Sequence, residues 1–235
     1  MKLIKFDVID STNTYLKTNY ESLDNLTVVT SEHQTNGKGR LGRTWVDEDD
    51  LLFSILIKEN IEKPTDYSFL IGAVLVKVLS DYNPKIKWPN DIIINDKKCI
   101  GILLEGVTKE KQECVIIGVG INVNTTKFPE DLLFKATSLR NESNKRIDKE
   151  SLLEKIIEEF INEYSDYKNK KSDYLNIVRN NFYLDNKDIS FLYNNREERG
   201  NVQGIDDEGN LIVKTNDKIL YLNSGEVTLS NIYKK

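Results

Sequence analysis

Three strand-length apolar runs follow one another between residues 91 and 123, and no other feature of the chain restricts its fold as tightly. Asp91–Ile94 leads into the polar turn Asn95-Asp96-Lys97-Lys98, then into Cys99–Val107, and Glu113–Val123 follows. The first two runs read as a hairpin about a polar turn. Lys85–Trp88 adds a short strand ahead of them. Strand, hairpin and strand in succession imply an antiparallel or mixed sheet backed by helices, an α+β arrangement.

The flanking segments fit that reading. Lys2–Ile9, Leu26–Ser31 and Leu51–Ile57 have strand character, the second of them buried. Asp10-Ser11-Thr12-Asn13 looks like a helix start with Asp or Ser as N-cap, running on through Tyr15, Leu16 and Tyr20. Residues 33–49 are expected to form a long polar loop. Tyr67–Tyr82 carries Phe69, Leu70, Ala73, Val74, Val76, Val78 and Leu79 without proline, which predicts a mostly buried helix. In Asp148–Tyr167 the apolar residues Leu152, Leu153, Ile156, Ile157, Phe160, Ile161 and Tyr164 recur at three and four, the pattern of an amphipathic helix. A second helix is expected over Ser172–Arg179.

Near Asp185 the pattern changes. The segments become short and alternating: Ile189–Tyr193, Gly200–Ile205, Leu211–Lys214, Ile219–Leu222 and Val227–Leu229. Polar turns such as Asp207-Glu208-Gly209-Asn210 and Asn223-Ser224-Gly225 separate them. Such spacing predicts a small β-barrel. The expected division is a domain of residues 1–184 followed by a small barrel domain of residues 185–235.

Composition narrows the function classes. A chain of 235 residues with 39% hydrophobic and 30% charged residues can bury a core and stay soluble. No apolar run approaches the roughly 20 residues that span a bilayer. The first residues, Met1-Lys2-Leu3-Ile4-Lys5-Phe6-Asp7, are broken by charges and lack a signal-peptide core, so a cytoplasmic location without membrane partners is expected. Cys99 and Cys114 sit in apolar runs and read as core residues. His33 is the only histidine, so neither a zinc site nor a Ser-His-Asp triad has support. A net charge of −5 argues against general nucleic-acid binding.

Against that acidic background, Gln34-Thr35-Asn36-Gly37-Lys38-Gly39-Arg40-Leu41-Gly42-Arg43-Thr44-Trp45 is a local exception. Its glycines let backbone N–H groups approach an anion. Arg40 and Arg43 can grip carboxylate or phosphate oxygens in fork geometry, and Trp45 can cover a flat base. The string has neither the Gly-Lys-Ser/Thr ending of a Walker A loop nor the glycine spacing of a dinucleotide fingerprint. A solvated basic surface loop is the plain alternative. Three further segments carry chemistry. In Lys87-Trp88-Pro89-Asn90-Asp91, Lys87 can neutralise phosphate and Asp91 can hold Mg²⁺ or orient a nucleophile, although the string can also be an ordinary hairpin corner. Lys98, at the mouth of the strand running through Gly101 to Glu105, can point into a pocket or into solvent. Gly118-Val119-Gly120-Ile121-Asn122-Val123-Asn124 places Gly-x-Gly in a strand, as where a ligand lies on the backbone, and Asn122 offers an amide that can read an adenine edge. Asp10-Ser11-Thr12-Asn13 adds hydroxyl and amide groups suited to a polar heterocycle.

In this order, these strings resemble the biotin protein ligase family, and Gly225-Glu226-Val227 resembles that family's final barrel strand. The resemblance covers nearly the whole chain. It implies the catalytic fold shared by biotin and lipoate ligases and class II aminoacyl-tRNA synthetases, followed by an SH3-like barrel. It also implies two-step chemistry: biotin and ATP give biotinyl-5′-adenylate, and a lysine of a biotin carboxyl carrier domain then takes the biotinyl group. On matching positions, Ser11, Thr12, Asn13 and Gln34 are implied to contact biotin's ring, and Gly39, Arg40 and Leu41 to cover biotin and its carboxyl. Lys98 is implied at the carboxylate and α-phosphate, with Arg40 and Lys98 as the catalytic pair. Arg43, Trp45, Lys87, Asn90, Asp91 and Asn122 are implied on the ATP side, with Asp91 as the Mg²⁺ ligand. The loop has Lys38 and Leu41 where many members carry arginine. The Asp-Ser-Thr-Asn string begins at residue 10, so the chain looks like the family's monofunctional type, expected to lack an N-terminal DNA-binding domain. Members often form homodimers. The rival readings are a lipoate ligase, whose Arg-Arg-x-Ser-Gly-Gly type of string is absent, and a non-catalytic biotin- or nucleotide-binding module.

Overall fold

A computed structural model describes residues 1–46, 48–58, 61, 63–109, 112–194, 196–224 and 228–230. The elements in chain order are β1 (Leu3–Ile9), α1 (Thr12–Asn19), β2 (Val28–Gln34), β3 (Leu51–Ile57), α2 (Asp66–Val78), β4 (Lys85–Lys87), β5 (Asp91–Ile94), β6 (Lys97–Lys109) and β7 (Gln112–Ile121). Then come α3 (Leu139–Ser143), α4 (Lys149–Lys168), α5 (Tyr174–Asn180), β8 (Asp188–Tyr193), β9 (Arg196–Ile205), β10 (Leu211–Lys214), β11 (Ile219–Leu222) and β12 (Thr228–Ser230). The first seven strands form one sheet in the order β1-β2-β3-β7-β6-β5-β4. β1 and β2 are parallel, linked through α1, and every other pairing in this sheet is antiparallel. This is the mixed, largely antiparallel sheet expected of the α+β class.

Side-chain alternation gives the sheet two different faces. On β7, Val115, Ile117, Val119 and Ile121 point one way. They join Phe53, Ile55, Ile57, Ile100 and Ile102 in a core closed by α2, α4 and α5, through Leu70, Val74, Leu153, Ile156, Phe160 and Val178. Cys114, Ile116, Gly118 and Gly120 take the other face. There α1 covers only one end, where Leu16 and Tyr20 pack with Val29, Leu56, Cys114 and Ile116. Beyond α1 the same face carries Ser54, Gly101, Gly118 and Gly120, which are too small to fill the space above them. A trough results.

Several boundaries differ from the sequence reading. Asn95 and Asp96 have φ of 48° and 62°, so two residues suffice for the hairpin turn, and Lys97 and Lys98 belong to β6 rather than to the turn. β2 starts at Val28, because Leu26 turns the chain with φ 60°, and it extends to Gln34. His33 and Gln34 are therefore strand residues paired with Val8 and Ile9, not part of a loop. α1 ends at Asn19, short of Tyr20. α2 ends at Val78, and a single 3₁₀ turn, Ser80–Tyr82, closed by left-handed Asn83, carries the chain onward.

The last five strands form an antiparallel sheet in the order β11-β10-β9-β8-β12. Gly225-Glu226-Val227 lies outside the described residues. The inward side chains of this sheet, among them Phe191, Val202, Leu211, Val213 and Leu222, continue the core of the large sheet. The turn between β9 and β10 is a second junction. Trp88 Nε1 donates to Gly209 O at 3.0 Å, and Arg179 pairs with Asp207 at 2.6 Å. Among the described residues no helix is long and apolar enough to cross a membrane.

Candidate active site

The trough opens into a cleft of about 680 Å³. Its floor is the glycine pair Gly101 and Gly120, which face each other across β6 and β7, with Gly118 two residues further along β7. A Cβ on Gly120 would lie 2.6 Å from the Trp45 indole, and one on Gly101 would lie 2.8 Å from it. A Cβ on Gly118 would lie 2.2 Å from Asn13 Oδ1. The glycines are therefore needed for close approach, but it is Trp45 and Asn13 of the chain itself that come down on them, where the sequence suggested a ligand lying on the backbone.

The polar end is built on the start of α1. Ser11 caps the helix, and its Oγ accepts from Thr14 N at 3.4 Å. Thr12 N and Thr12 Oγ1 both donate to Gln34 Oε1, at 2.7 and 3.1 Å. Thr12 Oγ1 lies 2.6 Å from Ser54 Oγ, and Ser54 Oγ donates to Asn13 Oδ1 at 2.6 Å. Asn13 Nδ2 donates to Glu105 Oε2 at 2.9 Å, and Glu105 Oε1 faces Lys17 at 3.3 Å. Ser11, Thr12, Asn13 and Ser54 are all buried. Burial of so many polar groups is sustained only because they bond to one another.

The cationic end lies about 7 Å away along β7, the rise of two strand residues. Lys98 reaches it from the start of β6, where its backbone is pinned on both sides: Lys98 N donates to Lys135 O and Thr137 N donates to Lys98 O. Its Nζ pairs with Asp91 at 2.7 Å and lies 5.5 Å from the Trp45 ring centre. Lys87 ends β4 and is only 8% exposed. Burial pushes its ammonium down to about 8; Asp91 opposes this, while Lys98, Lys187 and Arg43 add to it. Arg40 donates to Asn90 Oδ1 at 3.0 Å and to Ser224 O at 2.9 Å, so it spans the Trp88–Asp91 corner and the C-terminal sheet. Burial lowers its pKa from the ordinary arginine value. One buried lysine and several part-exposed cations beside Asp91 form a site that attracts a polyanion.

The glycine-rich segment is not an open loop. Trp45 N donates to Gly37 O and Gly39 N to Arg43 O, with Lys38 bridged to Thr44, which makes a narrow two-stranded flap. Its tip is the turn Arg40–Gly42, with Leu41 at φ 57° and Gly42 at φ 73°. Leu41 is 75% exposed at that tip. A leucine held in the left-handed region costs roughly 1–2 kcal/mol, which the neighbouring ladder must offset.

The structure thus gathers Ser11, Thr12, Asn13, Gln34, Gly39, Arg40, Leu41, Arg43, Trp45, Lys87, Asn90, Asp91, Lys98 and Asn122 around one cleft. Asn122 is already engaged on one side, since its Nδ2 donates to Thr137 O at 3.0 Å. Several residues in or beside the cleft were not singled out from the sequence. Ser54 is the one polar residue of Leu51–Ile57, a visible signal. Asp50 is buried and ties the chain before β3 to the segment after β7, accepting from Val123 N at 2.9 Å and Thr125 Oγ1 at 2.8 Å. Burial raises its pKa. Lys127 and Lys135 line the far wall from a segment without regular periodicity.

Comparison with known proteins gives a consistent result. Residues 5–122 match the model of the "Biotin/lipoate A/B protein ligase family", and residues 186–230 match that of the "Biotin protein ligase C terminal domain". The chain is 32% identical to the bifunctional ligase/repressor BirA of Bacillus subtilis (strain 168), over 97% of this chain and 74% of that protein. It is 26% identical to a biotin--[acetyl-CoA-carboxylase] ligase of Mycobacterium tuberculosis, over 85% of this chain and 77% of that protein. Among solved structures it is similar to the biotin protein ligase from Aquifex aeolicus in complex with biotin and ATP, at 27% identity and a TM-score of 0.86, over 97% of this chain and 98% of that one.

Proposed function

The chain belongs to the biotin/lipoate A/B protein ligase family, and on that premise we propose that it activates biotin with ATP and transfers the biotinyl group to a protein lysine. In the first step a biotin carboxylate oxygen attacks the α-phosphorus of ATP. The bond to the bridging oxygen breaks, and pyrophosphate leaves. In the second step a lysine amine of the acceptor, a biotin carboxyl carrier domain, attacks the acyl carbon. AMP leaves and the amine gives up a proton.

One observation carries this reading: a buried polar network and a cluster of cations lie on the same glycine-floored strand face, about two strand residues apart. A molecule with a polar ring at one end and a carboxylate at the other fits that offset. Ser11, Thr12, Asn13 and Gln34 then hold the ring. Arg40, Lys87 and Lys98 bring the carboxylate and the phosphates together and stabilise the charge that develops as they react. Gly39, Arg40 and Leu41 cover the site from the flap, with Arg43, Trp45, Asn90 and Asn122 toward the nucleotide. Mg²⁺ is commonly held by one or two carboxylates together with substrate phosphates. Asp91 is a carboxylate of that kind among the phosphate-side residues; when bound, the ion would neutralise phosphate charge. Residues 1–184 form the catalytic part in this reading, and residues 185–235 support it through the Arg40–Ser224 and Trp88–Gly209 contacts.

Exchange of labelled pyrophosphate into ATP tests the reading. Exchange that requires biotin is expected. Exchange with lipoate instead, or none with either acid, would refute it.

A further inference from the structure

The polar end of the cleft contains a hydrogen count that does not close. Three contacts run in a line between two ends: Thr12 Oγ1 to Gln34 Oε1, Thr12 Oγ1 to Ser54 Oγ, and Ser54 Oγ to Asn13 Oδ1. Both ends are fixed as acceptors. Gln34 Oε1 already accepts from the backbone N–H of Thr12. Asn13 must turn its oxygen toward Ser54, because its other side faces the Glu105 carboxylate, which accepts only. Two hydroxyl hydrogens therefore serve three oxygen–oxygen contacts. The line is one hydrogen short and rich in unused lone pairs, and it is buried. Such a surface favours a ligand that brings N–H donors.

Glu105 sets this polarity without lying at the reacting end. It is on the cleft face of β6, two residues beyond Leu103, the partner of Gly118. Its Oε2 takes the Asn13 amide and its Oε1 takes Lys17. We propose that Glu105 is a positioning and specificity-determining residue: by locking the flip state of the Asn13 amide it keeps the polar end an acceptor surface for ligand N–H groups. This rests on reading the polar end as the site of biotin's ureido ring, whose two N–H groups are such donors.

The lock has a sharp consequence. In Glu105→Gln the new amide can donate to Asn13 Oδ1, and Asn13 is free to flip. Asn13 Nδ2 then donates to Ser54, Ser54 to Thr12 and Thr12 to Gln34. Every contact is satisfied internally, and the demand for a ligand N–H is gone. Combining Glu105→Gln with Asn13→Asp restores the original sense, since the Gln amide donates to one carboxylate oxygen and the other again accepts from Ser54.

Biotin-dependent pyrophosphate exchange by the full chain reads both changes. Loss of one charge-assisted lock is expected to raise the KM for biotin about ten-fold or more in Glu105→Gln. The KM for ATP and kcat should stay within about two-fold. The double variant should recover most of the biotin affinity, and Lys17→Met, which removes only the outer partner of Glu105, should resemble the wild type. An unchanged biotin KM in Glu105→Gln overturns the proposal. So does a raised KM that Asn13→Asp fails to rescue, because Glu105 would then act only as a structural support. Wild-type exchange that ignores biotin would instead overturn the functional reading itself.

Discussion

Replacing Lys87 by methionine separates the cost of a buried charge from its use. The ammonium is 8% exposed, and burial depresses its pKa from 10.5 to about 8. At about 1.4 kcal/mol per unit, that displacement amounts to roughly 3 kcal/mol of free energy. The sign follows from proton counting. Between about 8 and 10.5 the unfolded chain binds the proton and the folded chain does not, so folded-state stability rises with pH through that window. Below about 8 both states are protonated, and the folded protein carries the full cost of holding a dehydrated cation. Lys87→Met removes the charge. The stability of the wild type relative to this variant should therefore increase by about 3 kcal/mol from pH 7 to above 10.5, whatever the packing of the methionine contributes at every pH. Urea denaturation of both proteins across that range measures the difference. A flat or falling difference would refute the argument. Kinetics supply the other half: kcat/KM for ATP in the wild type should fall above pH 8 or so, about ten-fold per pH unit, as Lys87 loses its proton. The variant should be uniformly weak and lack that limb.

Lys98→Ala should slow adenylate formation by about 10²–10³ in a single-turnover assay, the usual effect of losing one transition-state donor; near-normal formation would remove Lys98 from the chemistry. Gly120→Ala would set a Cβ 2.6 Å from the Trp45 indole. It should shift tryptophan emission and raise the KM for ATP about ten-fold, the effect of roughly 1–3 kcal/mol of overpacking. The three atoms nearest to that Cβ all belong to Trp45, so an unchanged spectrum would count against Trp45 lying on the glycine floor. Cys99 and Cys114 are buried, and burial pushes both thiols up. Neither should react with an aromatic disulfide reagent near neutral pH until the protein is unfolded, when both should.

Strand positions were legible wherever apolar runs met polar boundaries or a recognisable turn, but the order of the strands in the sheet was not. Leu51–Ile57 was read to its exact ends, because Asp50 and Lys58 bracket a run that is apolar except for Ser54. The errors lie where one backbone conformation decides a boundary. Leu26 and Asn83 turn the chain with positive φ, a choice that tertiary pairing makes and side-chain type signals poorly, above all for leucine. The flap was misread as a plain loop for the same reason: its ladder consists of only a few backbone bonds and has no apolar period to reveal it. Cationic site residues were visible because charge is out of place beside glycine and strand. Asp50 and the link from Glu105 to Asn13 were not, since their roles depend on which distant oxygen or amide they meet.

That contrast follows from how β7 is used. Val115, Ile117, Val119 and Ile121 anchor one face in the core, and this fixes where the opposite face lies to within a fraction of a side chain. Position 116 on that opposite face is isoleucine because α1 covers it; positions 118 and 120 are glycine because Asn13 and Trp45 come down on them. The register of a single strand therefore sets the separation between the polar and cationic ends of the cleft. A slip by one residue would turn the glycines into the core and the valines into the cleft. Changing the length of acid that the site accepts thus calls for moving an anchoring group along the sheet by whole pairs of residues, not for trimming one side chain. Lys98 shows how the chain fixes the cationic end: its ammonium projects from a backbone bonded on both sides to the Lys135–Thr137 segment, so its reach is set by a rigid base and a pairing carboxylate.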